Sequence, residues 1–201
     1  MTTSQANQRL AYATQLAKLF PEQGAWTEED YFALPDTNRI VELSDGRLIM
    51  PTPASDPHQK ASIELALALK QHVDANDLGE VRYAPMSVRL WEGKIREPDV
   101  LFVRKEHSDR MGETVYGPPD WVAEIISRGT RKTDEVDKRA EYAQAGIPEY
   151  WLIDPQRKTI RVFVLREGKT AYTLAATCTP GQVARSETIE GFEVAVDKIV
   201  S

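Results

Sequence analysis

Two carboxylates stand where apolar strands are expected. Asp99 follows Pro98 at the start of "EPDVLFV", and Glu124 lies inside the apolar run "DWVAEIIS". Neighbouring strands lie about 4.8 Å apart, so one carboxylate on each can meet at the same face of a sheet. Two such groups without a counter-charge repel, and one of them takes up a proton. A divalent cation removes that conflict. Magnesium takes oxygen ligands and is held by one or two carboxylates, with water and a substrate phosphate completing its shell. The plain alternative is that Asp99 caps a strand end and Glu124 pairs with a core arginine.

Downstream of Glu124, the residues Asp134, Lys138 and Tyr142 are spaced four apart and line one helical stripe. A helix directly after the Glu124 strand must pack back on the sheet, which aims the Lys138 ammonium at the carboxylates. There it would position a water or stabilise charge developing on a phosphoryl group. The competing reading is a solvated ion pair on an exposed face. His58, at the start of a long helix, can approach the same site, or else is a helix-end surface residue. His72 and His107 have no spaced partner ligands, so zinc has no support. Ser127 sits in nothing like a nucleophile elbow. Tyr142 and the pair Tyr150-Trp151 can stack on bases or pack between helix and sheet.

These residues need elements to hold them. Leu10, Ala13, Leu16, Ala17 and Phe20 share a helical face near the N-terminus. "TEED" from Thr27 to Asp30 resembles a capping box, with Asp in place of Glu. "RIVELSDGRLIM" has the pattern of a hairpin around Ser44-Asp45-Gly46. "SDPHQKASIELALALKQHVD" combines a capping residue, Pro57 in the first turn and an Ala/Leu-rich face, which predicts a helix. "EVRYAPMSVRLW" and "REPDVLFVRK" read as two strands with a turn at Glu92-Gly93-Lys94. "DWVAEIIS", apolar on both sides, suits the centre of a covered sheet. Residues 133–145 read as a helix ended by Gly146. "YWLID", "TIRVFVL" and an edge strand "AYTLA" follow. The pattern predicts one α/β domain with a mixed β-sheet flanked by helices.

Composition sets bounds. The chain has 201 residues, 41% hydrophobic and 28% charged, ordinary for a globular protein. No apolar run approaches the ~20 residues of a membrane span, and the N-terminus has no signal-peptide pattern. Cys178 is the only cysteine, so there is no internal disulfide, which fits a reducing cytoplasm. No base neighbours it in sequence, and an inert thiol is expected. A net charge of -6 argues against non-specific coating of nucleic acid but leaves room for a local basic groove.

"VELSDGRL", "EPDVLFV" and "PDWVAEIISRGTRKTDEVDKRAEYAQAGIPEYWLID" resemble the Uma-type endonuclease family (domain of unknown function 820) of the restriction-endonuclease-like PD-(D/E)XK superfamily. The likeness runs from "TEEDYFALP" to "GFEVAVDKIV". It implies a single restriction-endonuclease-like domain over 1–201, with a helical segment over 1–34 and the nuclease-like core over 36–201. It also implies metal-dependent hydrolysis of phosphodiester bonds in DNA. Asp99 matches the first metal ligand and Glu124 the second. The superfamily's lysine slot two residues on holds Ile126, a departure, and Lys138 matches the lysine of the Uma-type pattern on the following helix. Glu42 matches that pattern's early glutamate. Arg47 stands where an acidic residue often follows the hairpin glycine. On this reading Mg²⁺, or Mn²⁺, is held by Asp99, Glu124 and the carbonyl of Ile125. Arg128, Arg131, Lys132 and Arg139 would contact flanking phosphates, or else form a solvated basic loop. A homodimer is expected, since a duplex has two strands. The alternative is a non-catalytic nucleic-acid- or protein-binding module that keeps the fold.

Overall fold

The computed structural model describes residues 20–35 and 40–200, so the expected N-terminal helix falls almost wholly outside them. The described chain opens with a short helix, α1 (Glu28–Phe32), and a hairpin of β1 (Glu42–Ser44) and β2 (Arg47–Ile49). The long helix α2 (Asp56–Ala75) follows, then β3 (Gly79–Tyr83), β4 (Ser87–Trp91), β5 (Lys94–Arg96) and β6 (Val100–Arg104). A 3-10 segment and β7 (Val115–Tyr116) lead into β8 (Trp121–Ile125). Helix α3 starts as a π-helix (Thr133–Lys138) and continues as an α-helix (Arg139–Gln144). Strands β9 (Glu149–Asp154), β10 (Thr159–Val164) and β11 (Thr173–Cys178) come next. A hairpin of β12 (Val183–Arg185) and β13 (Glu193–Ala195) and helix α4 (Val196–Val200) close the fold.

Local chemistry accounts for these elements. Thr27 and Asp30 cap α1 reciprocally: the Asp30 amide donates to Thr27 Oγ1 at 3.1 Å and the Thr27 amide to Asp30 Oδ2 at 2.9 Å. The shorter Asp therefore completes the capping box. Asp45 and Gly46, with φ of 52° and 72°, make the tight turn between β1 and β2, where two left-handed residues match strand twist. Helix α2 buries His58, Ala61, Leu65, Leu69 and Val73 along one face, the spacing of a helix rather than a strand.

The six-stranded central sheet has the order β11-β10-β9-β8-β6-β3, and the five-stranded second sheet β2-β1-β5-β4-β7. Two of the strands expected from sequence therefore divide. Pro85 separates β3 from β4 and Pro98 separates β5 from β6, because proline offers no N–H to a ladder. Each break carries the chain from one sheet to the other. Asp99 lies at the second crossing. The C-terminal hairpin and α4 have no counterpart in the sequence reading, and α3 departs from it in its π-helical start.

All five residues of β8 are buried, as its apolar run requires. Trp121, Ala123 and Ile125 face α2 and α4, in one cluster with Trp151, Ile153 and Phe192. Val122 faces the other way, with Tyr142, Tyr150 and Val88 of the second sheet. By alternation, Glu124 shares the Val122 face. Strands β8 and β9 are parallel, and α3 is their crossover. No helix among the described residues is long and apolar enough to cross a membrane.

Candidate functional site

Strands β6 and β8 run antiparallel with Val100 beside Ala123. One step along each strand sets Asp99 opposite Glu124, where facing side chains come closest. Asp99 Oδ2 accepts the Ile125 amide at 2.7 Å and meets His58 Nε2 at 3.1 Å. The first turn of α2 thus supplies His58 to the end of β6. Glu124 Oε1 receives Lys138 Nζ at 2.9 Å and the Tyr142 hydroxyl at 2.6 Å. Lys138 also reaches Glu42 Oε1 at 2.9 Å, which joins the second sheet to the first. Glu42 is held from behind: Arg96 Nη1 donates to its Oε2 at 2.8 Å and the Glu97 amide to its Oε1 at 3.2 Å. Arg96 in turn forks onto Glu141 of α3, at 2.7 and 2.8 Å. A solvent-open cleft is lined by Glu42, His58, Asp99, Glu124, Ile125 and Lys138, with Glu97 and Asp134 also in its wall.

The cleft is short of positive charge. Burial, with Asp99, Asp134 and Glu42 nearby, pushes Glu124 well above the carboxylate range against the pull of Lys138. Burial lifts Glu97 to about 7 and Asp134 to about 6. Burial also opposes charge on Glu42 and Lys138, but their mutual attraction prevails, aided at Glu42 by Arg96 and at Lys138 by Glu124. Glu42 is therefore lowered and Lys138 stays charged, well above its ordinary value. His58 is desolvated too, yet its bond to Asp99 raises it. Glu97 Oε2, Asp134 Oδ1 and His58 Nδ1 have no partner.

A pH dependence follows. Between the ordinary carboxylate range and about 7, folded Asp134 and Glu97 hold protons that the unfolded chain has released. Stability then falls as pH rises through that window. His58 acts in the same direction, because a raised basic group loses its contribution as pH climbs through its folded value. Glu42 and Asp154, both lowered, weaken the fold only on the acid side. With chelator present, Tm is expected to decline from about pH 5 to about pH 8. A flat or rising profile by calorimetry would contradict this electrostatic picture.

The structure brings together Asp99, Glu124, Lys138, Glu42, His58, the backbone of Ile125 and the hydroxyl of Tyr142. The Tyr142 ring is fully buried against Tyr150 and offers no face to a base. Arg131 is bound to Asp154 at 2.6 Å, and Arg139 lies over the Phe163 ring at 5.2 Å. Arg128 is exposed on the turn before α3, and Lys132 is exposed in the helical turn that leads into it. Sequence reasoning missed Arg96 and Glu97. The signal was present in "KIREPD", whose alternate charges Lys94 and Arg96 are both buried. Among the described residues, no three His, Cys, Asp or Glu side chains are grouped closely enough to hold an ion by themselves.

A family model described as "Uma2: Putative restriction endonuclease" matches residues 28–197. A solved structure from Anabaena variabilis, described as "a putative nuclease belonging to DUF820", superposes with a TM-score of 0.71 at 16% identity. The match covers 87% of this chain and 97% of that one, and the likeness is one of fold. A search of curated proteins finds no match.

Proposed function

The chain belongs to the Uma2 family, described as "Putative restriction endonuclease", and on that premise we propose a metal-dependent endonuclease that hydrolyses phosphodiester bonds in DNA. One observation carries this reading: Asp99 and Glu124 oppose each other in a cleft whose buried carboxylates exceed its cations. Their donors are hard oxygens, as Mg²⁺ or Mn²⁺ prefers. Asp99, Glu124 and the Ile125 carbonyl would hold the ion. When bound, it would polarise the phosphate and stabilise the charge that develops on it.

The protein's own groups do the rest. Lys138 and Tyr142 both donate to Glu124 Oε1, which fixes that carboxylate. Lys138 keeps a full positive charge beside the position where charge develops on the phosphoryl group. His58 and the Ile125 amide orient Asp99. In hydrolysis the water oxygen bonds to phosphorus, one P–O ester bond breaks, and a water proton ends on the released hydroxyl. Arg128 and Lys132 are free to approach flanking phosphates, and a homodimer would present one site to each strand. The second reading, a binding module without chemistry, draws on Lys138 itself, whose bridge between Glu42 and Glu124 also serves as a plain structural tie.

Nicking of supercoiled plasmid separates the two. Wild type is expected to nick with Mn²⁺ or Mg²⁺ and not with EDTA, and Glu124→Ala to be slower by at least about a hundredfold. Wild type inert on plasmid, single strands and RNA alike would favour the binding module.

A further inference from the structure

Asp134 stands in the cleft wall, and the proposed hydrolysis gives its carboxylate no task. It is 1% exposed, and its Oδ1 has no hydrogen-bond partner. Its position is nonetheless fixed. Its amide donates to the Thr130 carbonyl at 2.9 Å, and its own backbone carbonyl accepts the Tyr150 hydroxyl at 3.0 Å. Oδ1 lies 4.0 Å from Lys138 Nζ, too far for a direct hydrogen bond. A lysine ammonium has three donors. Two of these are committed to Glu42 and Glu124, each at 2.9 Å. The third has no hydrogen-bond acceptor among the described residues.

A gap of this length, with a donor on one side and an unsatisfied acceptor on the other, suits a bridging water. We propose that Asp134 Oδ1 and Lys138 Nζ together hold the water that attacks the phosphodiester. Asp134 accepts one of its O–H bonds, and Lys138 donates to one lone pair of its oxygen. The second lone pair is left to point at phosphorus. A structural ion pair accounts less well for Asp134, because Lys138 already binds two carboxylates at shorter distance. The role rests on the nuclease reading and extends it with a named residue.

The test uses the full chain. Asp134→Ala is expected to lower kcat for plasmid nicking about a hundredfold with KM little changed. Mn²⁺ bound at Asp99 and Glu124 is expected to raise Tm by linkage, and Asp134→Ala should keep that rise. Asp134→Asn, whose amide oxygen still accepts an O–H, is expected to recover part of the rate. A high-resolution crystal structure of wild type should show a water within hydrogen-bond reach of both atoms. Wild-type kcat in Asp134→Ala, or an empty gap in that crystal, overturns the proposal and leaves the nuclease reading standing. Loss of the Mn²⁺ effect on Tm in Asp134→Ala overturns it in favour of Asp134 as a metal ligand. Wild type with neither nicking nor a Mn²⁺ effect removes the nuclease reading, and this role with it.

Discussion

Lys138→Met is expected to abolish metal-dependent nicking and to destabilise the fold by about 3–5 kcal/mol near neutral pH. The lysine is 7% exposed and bonds Glu42 and Glu124 at 2.9 Å each. Methionine matches its stem but not its charge. Glu42 and Glu124 would then face Asp99 and Asp134 with no nearby cation except Arg96 and, when protonated, His58. Breaking a buried pair by removing one partner strands the other, which is why the loss exceeds that of a surface pair. Acid should relieve it, because protonated carboxyls no longer repel. Urea titrations should therefore show a larger deficit at about pH 8 than at about pH 5. Glu124→Gln makes the contrast, since it removes one carboxylate from an excess and should change stability much less. A Lys138→Met protein as stable as wild type at both pH values would refute the network as described.

Arg96→Met should come close in magnitude, about 3–5 kcal/mol, although Arg96 touches neither Asp99 nor Glu124. The residue is 2% exposed. It ties Glu42 of β1 to Glu141 of α3 by three bonds of 2.7 to 2.8 Å. Its fork bonds both oxygens of Glu141, a geometry lysine cannot copy, so Arg96→Lys should recover only part of the loss. Nicking should fall as well, because Glu42 positions Lys138. Chemical denaturation and plasmid assays on both variants check this. Full activity in Arg96→Met would mean that Glu42 needs no support from behind.

Much of this site was legible in the residues. Asp99 and Glu124 interrupt apolar runs whose period fixes their faces. Lys138 follows because a crossover helix must return to the sheet its strands belong to. The long helix α2 was legible from its capping and its face. Other features depend on partners distant in sequence. Lys94 reads as a turn residue and Arg96 as the start of a strand, and only the second sheet, formed with β1 and β4, buries them against Glu141. The division of the expected strands at Pro85 and Pro98 needed knowledge of two sheets, since proline marks an interruption without saying where the chain goes next. Arg131 and Arg139 read as free cations because Asp154 and Phe163 come close only after folding. The pattern of α3 gave a helix but not its kind.

That kind governs angular phase. Four residues of an α-helix overshoot a full rotation by about 40°, so three groups spaced four apart spiral away, the outer two about 80° from each other. A π-helix is wider, and four of its residues stop short of a full rotation. Asp134 to Lys138 spans the π half of α3, and Lys138 to Tyr142 the α half. The two deviations have opposite sign and offset each other, so the three side chains project nearly in line along the helix axis. Loss of Glu135, Val136 or Asp137 would restore uniform winding. Lys138 and Tyr142 would stay on Glu124, while Asp134, now three residues before Lys138, would sit about 60° from it around the axis, shifting the acceptor relative to the ammonium without changing either residue.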